Sequence, residues 1–257
     1  MSGRLPIILI VAIVMINALG IGIILPVMPA LLMDMGKPDI SSAVAIGGFL
    51  SLAFAAMQVI FGPLLGQLSD RFGRRPVLLL SLLSAGIDYA ILAAAPVLWL
   101  FVVARLISGV ASATQSVANA ALADMSPPEK RAARFGLTGA AFGIGFVLGP
   151  VMGGLLGELG PRAPFWMASA LSFVAAGLCY VALPETLARK DPRPIAWREA
   201  LTFAAFVGLR RRPTLIPYIG ISFADGLAGM VFPAVWAYFA WAQFGWSPAT
   251  VGWSLAA

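Results

Sequence analysis

Histidine is absent from the 257 residues, cysteine occurs once, at Cys179, and charged side chains make up only 11% of the chain. Without histidine there is no Ser-His or Cys-His nucleophile pair and no histidine-ligated zinc, and one cysteine excludes an intrachain disulfide. Soluble domains carry roughly 25% charged residues, so the scarcity argues against a water-soluble enzyme or scaffold. What is present is apolar: 60% of residues are hydrophobic and the mean hydropathy is +0.93. The few charges are bunched. Between Arg4 and Asp34, Asp39 and Asp70, Arg134 and Glu158, and Arg162 and Glu185 lie runs of 22 to 30 residues without a charged side chain. About 20 apolar residues suffice for one helical crossing of a bilayer.

The apolar runs read as seven spans and the beginning of an eighth: 5–33, 42–68, 77–95, 97–121, 135–157, 163–183, 214–241 and 248 onward. They are continuous rather than alternating and far exceed the roughly 9 to 11 residues of a spanning strand. The expected fold class is therefore an all-α polytopic membrane protein. With the N-terminus in the cytoplasm, fourteen Lys and Arg residues fall inside, and only Lys37 and Arg162 fall outside. That imbalance orients the chain in a cell inner (plasma) membrane. The net charge of +6, including Arg210 to Arg212, is thereby explained by topology, with the bilayer as partner and no nucleic acid. The first span follows Arg4 as a signal peptide would, but its 29 uncharged residues are too long for a cleaved apolar core.

Residues 184–213 form one long polar connection, holding an amphipathic stretch from Trp197 to Leu209 expected to lie on the cytoplasmic surface. On either side are echoes: Gly22-Ile-Ile-Leu25-Pro26 against Gly229-Met-Val-Phe232-Pro233, and Gly48-Phe-Leu-Ser51-Leu52-Ala53 against Gly252-Trp-Ser254-Leu255-Ala256. A duplicated six-helix unit is a transporter plan. The expected organisation is a six-helix bundle over 1–183, a linker over 184–213, and helix seven with the start of helix eight over 214–257. The short last run predicts that the chain is a C-terminally truncated piece of a longer protein.

At 1.5 Å per residue, Asp88 lies about 17 Å into the third span, Asp225 about 17 Å into the seventh, Asn17 about 18 Å into the first, and Arg105 about 12 Å into the fourth. All four are expected to converge near the middle of a core about 30 Å thick. A charge there costs at least about 2.5 kcal/mol, so Asp88 and Arg105 are expected to pair or to line a wet cavity that handles protons or substrate.

Two motifs carry more specific information. The connection after the second span reads Gly66-Gln-Leu-Ser69-Asp70-Arg71-Phe72-Gly73-Arg74-Arg75-Pro76. Gly66 is expected to permit close helix approach, Gly73 a tight turn, and Asp70 with Arg74 a charged latch at the membrane surface. The fifth span reads Gly145-Phe-Val-Leu-Gly149-Pro150-Val-Met-Gly153-Gly154, preceded by Gly139 and Gly143. Glycines four apart make a flat face for helix packing, and the proline bends the helix.

The first motif resembles the signature loop of the major facilitator superfamily, and the second resembles the motif of its antiporter branch. Asp70 to Ser81, Ile87-Asp88-Tyr89, Arg105-Leu-Ile-Ser108-Gly109, Ala123-Asp124 and Pro184-Glu185-Thr186 narrow the likeness to the tetracycline/proton antiporters. The resemblance implies a cytoplasmic charge network of Asp70, Arg74 and Asp124, and a proton-coupling role for Arg105. It also implies efflux of tetracycline or a similar amphipathic drug by alternating access, with protons moving the other way. Tetracycline would travel with a divalent cation as cargo, and no cofactor or resident metal is implied. The chain departs from that family in having Asn17 where an aspartate is expected, Gln115 in a Ser112-Ala-Thr-Gln115 segment where glycines are expected, and Asp225 in the seventh span. These departures point to a relative with another drug range, or to another multidrug or metabolite transporter. A carboxylate-pair intramembrane protease built on Asp88 and Asp225 is the rival from another class.

Overall fold

The structure, a computed structural model, describes residues 4–35, 40–187, 214 and 216–257. Ten helices and no strand occur among the described residues. They are α1 (Arg4–Ile24), α2 (Met28–Asp34), α3 (Ile40–Phe72), α4 (Arg74–Ala94), α5 (Leu98–Ala111), α6 (Thr114–Asp124), α7 (Pro128–Gly157), α8 (Ala163–Ala182), α9 (Ile216–Phe244) and α10 (Pro248–Ala256). Among the described residues, six stretches are long and apolar enough to cross a membrane, namely Leu5–Ile24, Ser41–Phe72, Arg74–Ala94, Leu98–Asp124, Pro128–Gly157 and Ala163–Ala182. The linker's amphipathic stretch and Arg210 to Arg212 lie outside the described residues.

Two expected spans are each split in two. The first breaks at residues 25–27, where Pro26 lacks the N–H that would continue the helix. The fourth breaks at Ser112 and Ala113, between α5 and α6. Other helices run past their apolar segments: α7 begins at Pro128, so Lys130, Arg131 and Arg134 stand on its first turns.

Helix α1 lies against α7 and α8, α4 against α8, α5 and α6, and α3 against α5. Two apolar clusters result. One gathers Ile10, Ile13, Leu78, Leu82, Val117 and Leu122; the other gathers Ile23, Leu31, Leu92, Phe101 and Phe165. Along the chain, Asn17 falls between the two clusters on α1, Asp88 on α4, and Arg105 with the break on the fourth span. A polar layer thus separates two greasy ones. Large apolar side chains such as Ile8, Leu52, Trp99 and Val181 point outward, as lipid-facing positions do.

Helix α9 behaves differently. Residues 216–229 are exposed throughout, and it rests on the bundle through its second half, where Ala237, Tyr238 and Ala240 are buried. Trp236 Nε1 donates to Ser254 Oγ at 2.8 Å, tying α9 to α10. The echo of Pro26 in Pro233 is therefore one of sequence more than shape: Pro26 ends α1, while Pro233 sits inside α9.

Candidate functional site

At the end of the bundle where α3 meets α4, one residue makes the turn. Gly73 has φ 111°, a conformation that costs a side chain dearly, and a Cβ there would come within 2.6 Å of the Glu185 carboxyl carbon. The sharp reversal places Arg74, the first residue of α4, beneath the last turn of α3. Its guanidinium reaches Asp70 Oδ1 at 2.6 Å and Asp124 Oδ2 at 2.8 Å, and donates to Ser69 Oγ at 3.1 Å. Asp70, Arg74, Asp124 and Ser69 are thus brought together on three helices.

Glu185, just past the end of α8, completes the cluster. Its carboxylate accepts from the backbone amides of Arg74 at 2.8 Å, Arg75 at 3.2 Å, Thr186 at 2.9 Å and Leu187 at 3.0 Å. A carboxylate at a helix N-terminus satisfies orphan donors and faces the positive end of the helix dipole. The only sequence signal of this capping role is an acid directly after an apolar span. Arg75 turns away to the Tyr180 carbonyl, its guanidinium 5.3 Å from the Tyr180 ring, and Arg71 lies 5.5 Å from the ring of Phe72. Gly66 does not serve as expected: nothing lies within 4 Å of where its Cβ would stand, so it makes no close helix contact among the described residues.

In the middle of the bundle Arg105 grips Asp88 with two nitrogens, Nε to Oδ1 at 3.3 Å and an Nη to Oδ2. The Asp88 side chain is 3% exposed and that of Arg105 13%. The guanidinium lies 5.4 Å from the Phe54 ring and 5.8 Å from the Tyr89 ring, where aromatic faces help hold a cation away from water. Gln115 and Asn17 are half-buried, on α6 and α1. Asp225 is exposed on α9, so of the four expected midplane groups it stands apart, and the ion pair joins Asp88 and Arg105. A carboxylate-pair protease is excluded by the same geometry, because Asp88 is bound to Arg105 rather than to Asp225.

The third feature is a seam along α7. A Cβ on Gly149 would lie 2.7 Å from the Gly22 Cα, one on Gly145 3.0 Å from the Ala18 Cβ, and one on Gly153 2.7 Å from the Ile23 carbonyl carbon. The Pro150 ring also faces Gly22 of α1, while the Pro150 carbonyl and Gly154 turn to the other side, where Gly252 of α10 packs on that carbonyl and Gly154 on Pro248 and Ala249. Ala249 N–H also donates to Glu158 Oε1 at 3.2 Å. One motif thus seals α7 to both α1 and α10. Gly139 and Gly143 have open space instead, and stand outside the seam.

A helical bundle with six spanning stretches, an ion pair in its polar middle layer and a glycine seam between neighbouring helices defines a multi-pass membrane protein built like a transporter. The model of the Major Facilitator Superfamily matches residues 10–257, and the chain belongs to that superfamily; it is not an enzyme. It is 41% identical over 257 residues to the tetracycline resistance protein, class C, of Escherichia coli, covering 100% of this chain and 64% of that protein. To the class G protein of Vibrio anguillarum it is 42% identical over 247 residues, covering 95% of this chain and 62% of that one. The chain therefore spans less than two thirds of the length of these curated relatives. In fold it is similar to the crystal structure of the human organic anion transporter MFSD10 (TETRAN), with TM-score 0.76, 22% identity and coverage of 100% of this chain and 69% of that one. It is also similar to an inward-facing bacterial homologue of the human lysosomal transporter Spinster, with TM-score 0.77, 18% identity and coverage of 99% and 60%.

Proposed function

We propose that this chain belongs to a proton-coupled efflux antiporter of the inner membrane that exports tetracycline or a similar amphipathic drug by alternating access. In this reading the N-terminus is cytoplasmic, residues 1–183 form the first bundle, 184–213 the linker and 214–257 the opening of a second bundle. The Asp88–Arg105 pair in the middle of the bundle is the observation that carries it, set beside about 40% identity to tetracycline resistance proteins. A carboxylate held there by one guanidinium is in balance. Proton and drug compete at Asp88: deprotonated, the carboxylate attracts a cationic drug, or a drug with a divalent cation carried alongside, and a proton arriving on Asp88 removes that charge and favours drug release. Loss of the proton on the cytoplasmic side restores the carboxylate and its pair with Arg105 for the next drug. Asp70, Arg74, Asp124 and Glu185 would close the cytoplasmic side, and the α7 seam the opposite side. Asp225, exposed on α9, is proposed as a second acid.

The test is drug uptake into inverted vesicles under an imposed pH gradient, using the gene product as the cell makes it. Asp88→Asn should abolish gradient-driven uptake; undiminished uptake would overturn the role of this pair. A wider drug range is the second reading, favoured by Asn17 and by 34% identity over 174 residues to the multidrug resistance protein 2 of Bacillus subtilis. Competition between tetracycline and structurally unrelated cationic drugs in the same vesicles separates the two.

A further inference from the structure

Helix α4 carries three buried polar side chains at intervals of seven residues: Arg74, Ser81 and Asp88. Seven residues make two turns and about 10 Å, so all three share a face. Each meets the fourth span. Arg74 meets Asp124 at the far end of α6, and Asp88 meets Arg105 within α5. Ser81 meets the interruption between those two helices. Its Oγ donates to the Ala111 carbonyl at 2.6 Å and accepts from the Ala113 N–H at 3.1 Å.

That single hydroxyl satisfies one backbone group on each side of a break. At the break Ser112 has ψ 99° and Ala113 φ −139°, and neither is Gly or Pro, so nothing local forces the chain out of helix there. Irregular backbone at membrane depth persists where protein partners replace the lost helical bonds. Further partners come from α3: Gln58 Nε2 donates to Ser112 Oγ at 3.0 Å. Gly109 also packs so closely on α3 that a Cβ would lie 2.8 Å from the Met57 Cβ.

We infer that Ser81 is a positioning residue that joins the two halves of the fourth span into one lever, so that the charge at Asp88 sets the geometry of Arg74 and Asp124. With the hydroxyl in place, a shift of α5 that follows a change at Asp88 is carried across the break into α6. Without it, Ala111 and Ala113 lose their common anchor, the break becomes a free hinge, and motion of α5 is absorbed there. The inference rests on the Asp88–Arg105 pair being the coupling pair, but its test does not require transport.

The one cysteine of these 257 residues is Cys179, fully buried; Cys179→Ala, together with replacement of any cysteine the full gene product carries outside them, leaves a thiol-free background. Ala121→Cys, at a buried position near the Asp124 end of α6, then reports on α6 through its rate of alkylation in native membranes. Asp88→Asn should change that rate at least about three-fold, within the range of coupling between networked residues. The change should survive in Ser81→Thr and vanish in Ser81→Val, which has the same shape without the hydroxyl. An equal change in the Thr and Val variants would overturn the inference. A second measurement stands even where the Val variant fails to accumulate. Coupling is reciprocal, so with Ser81 intact, Asp124→Asn must alter alkylation of a cysteine at buried Ala104 on α5; no response there would also overturn it. A link seen in both directions together with proton-independent efflux would retain the lever and discard the proton-coupling reading.

Discussion

Two Arg–Asp clusters hold this bundle, and they are built on opposite plans. At the α3–α4 turn the carboxylates are half in solvent, with the Asp70 side chain 42% exposed and that of Asp124 28%. Arg74 there has two acids and a serine, while Glu185 separately caps the helix that carries it. In the middle of the bundle, Asp88 and Arg105 are almost wholly buried, and the ion pair has no second acid among the described residues. Redundancy in a wet place makes a clasp whose stability tolerates loss of one member. A single ion pair in a buried place makes a balance, where changing one charge leaves the other without its ionic partner, and Asp88 keeps only the Ser108 hydroxyl among the described residues.

The sharpest way to break this contrast is to neutralise one partner of the buried pair. Removing one member of such a pair costs about 3–5 kcal/mol, so Asp88→Asn and Arg105→Gln should each lower thermal stability in detergent severely. The double variant Asp88→Asn/Arg105→Gln should recover much of that stability while recovering no drug uptake. Equal stability of single and double variants would show that the pair is not the energetic unit described here.

The α7 seam gives the next largest effect and sharpens the point that position on the helix decides. Gly149→Ala must push apart two helix backbones, and overpacking of this kind costs about 1–3 kcal/mol. Gly143→Ala meets nothing and should be neutral or slightly stabilising, since alanine is the better helix former by up to about 1 kcal/mol. Thermal melts of the two variants side by side decide it.

Asp70→Asn should cost less than about 1 kcal/mol, as solvent-exposed pairs do, because Arg74 keeps Asp124 and Ser69. Membrane insertion should be unchanged while efflux falls sharply, since in the proposed alternating access the clasp closes with each cycle. Unchanged efflux would reduce the loop to a topology signal. Gly73→Ala should be the harsher variant of this loop on stability, because it adds both a strained φ and a clash with Glu185.

What could be read from the amino acids, and what could not, follows the range of the interactions. The spans were legible because a crossing helix needs an uninterrupted apolar run, and the break at Pro26 has a local cause. The pairing of Asp88 with Arg105 was legible because an unpaired charge at that depth is too costly. The break at Ser112 and Ala113 was not, since its partners, Ser81 and Gln58, sit on other helices. Glu185 was missed for the same reason: it caps Arg74, 111 residues away. Gly66, Gly139 and Gly143 look like packing glycines by motif, yet only 145, 149 and 153, spaced four apart, fall on the face that meets α1.

The smallest effect on stability belongs to Asp225, and it tests whether the balance at Asp88 acts alone. Asp225 is exposed on α9, and it takes part in no ion pair among the described residues. Asp225→Asn should therefore leave stability within about 0.5 kcal/mol, as surface changes away from packed features do. Transport is a separate matter. Asp225 stands eight residues before Pro233 and Asn17 nine before Pro26, so an acid absent from the first span has a near counterpart in the seventh. If that counterpart carries the proton, Asp225→Asn abolishes pH-gradient-driven uptake in inverted vesicles without disturbing folding, and adding Asn17→Asp restores part of it. The two prolines differ in setting, one ending a helix and the other within one, so the restoration should be incomplete. Full coupled uptake by Asp225→Asn would instead assign proton handling to the buried pair, and would make the contrast between clasp and balance sufficient for the described half of the transport cycle.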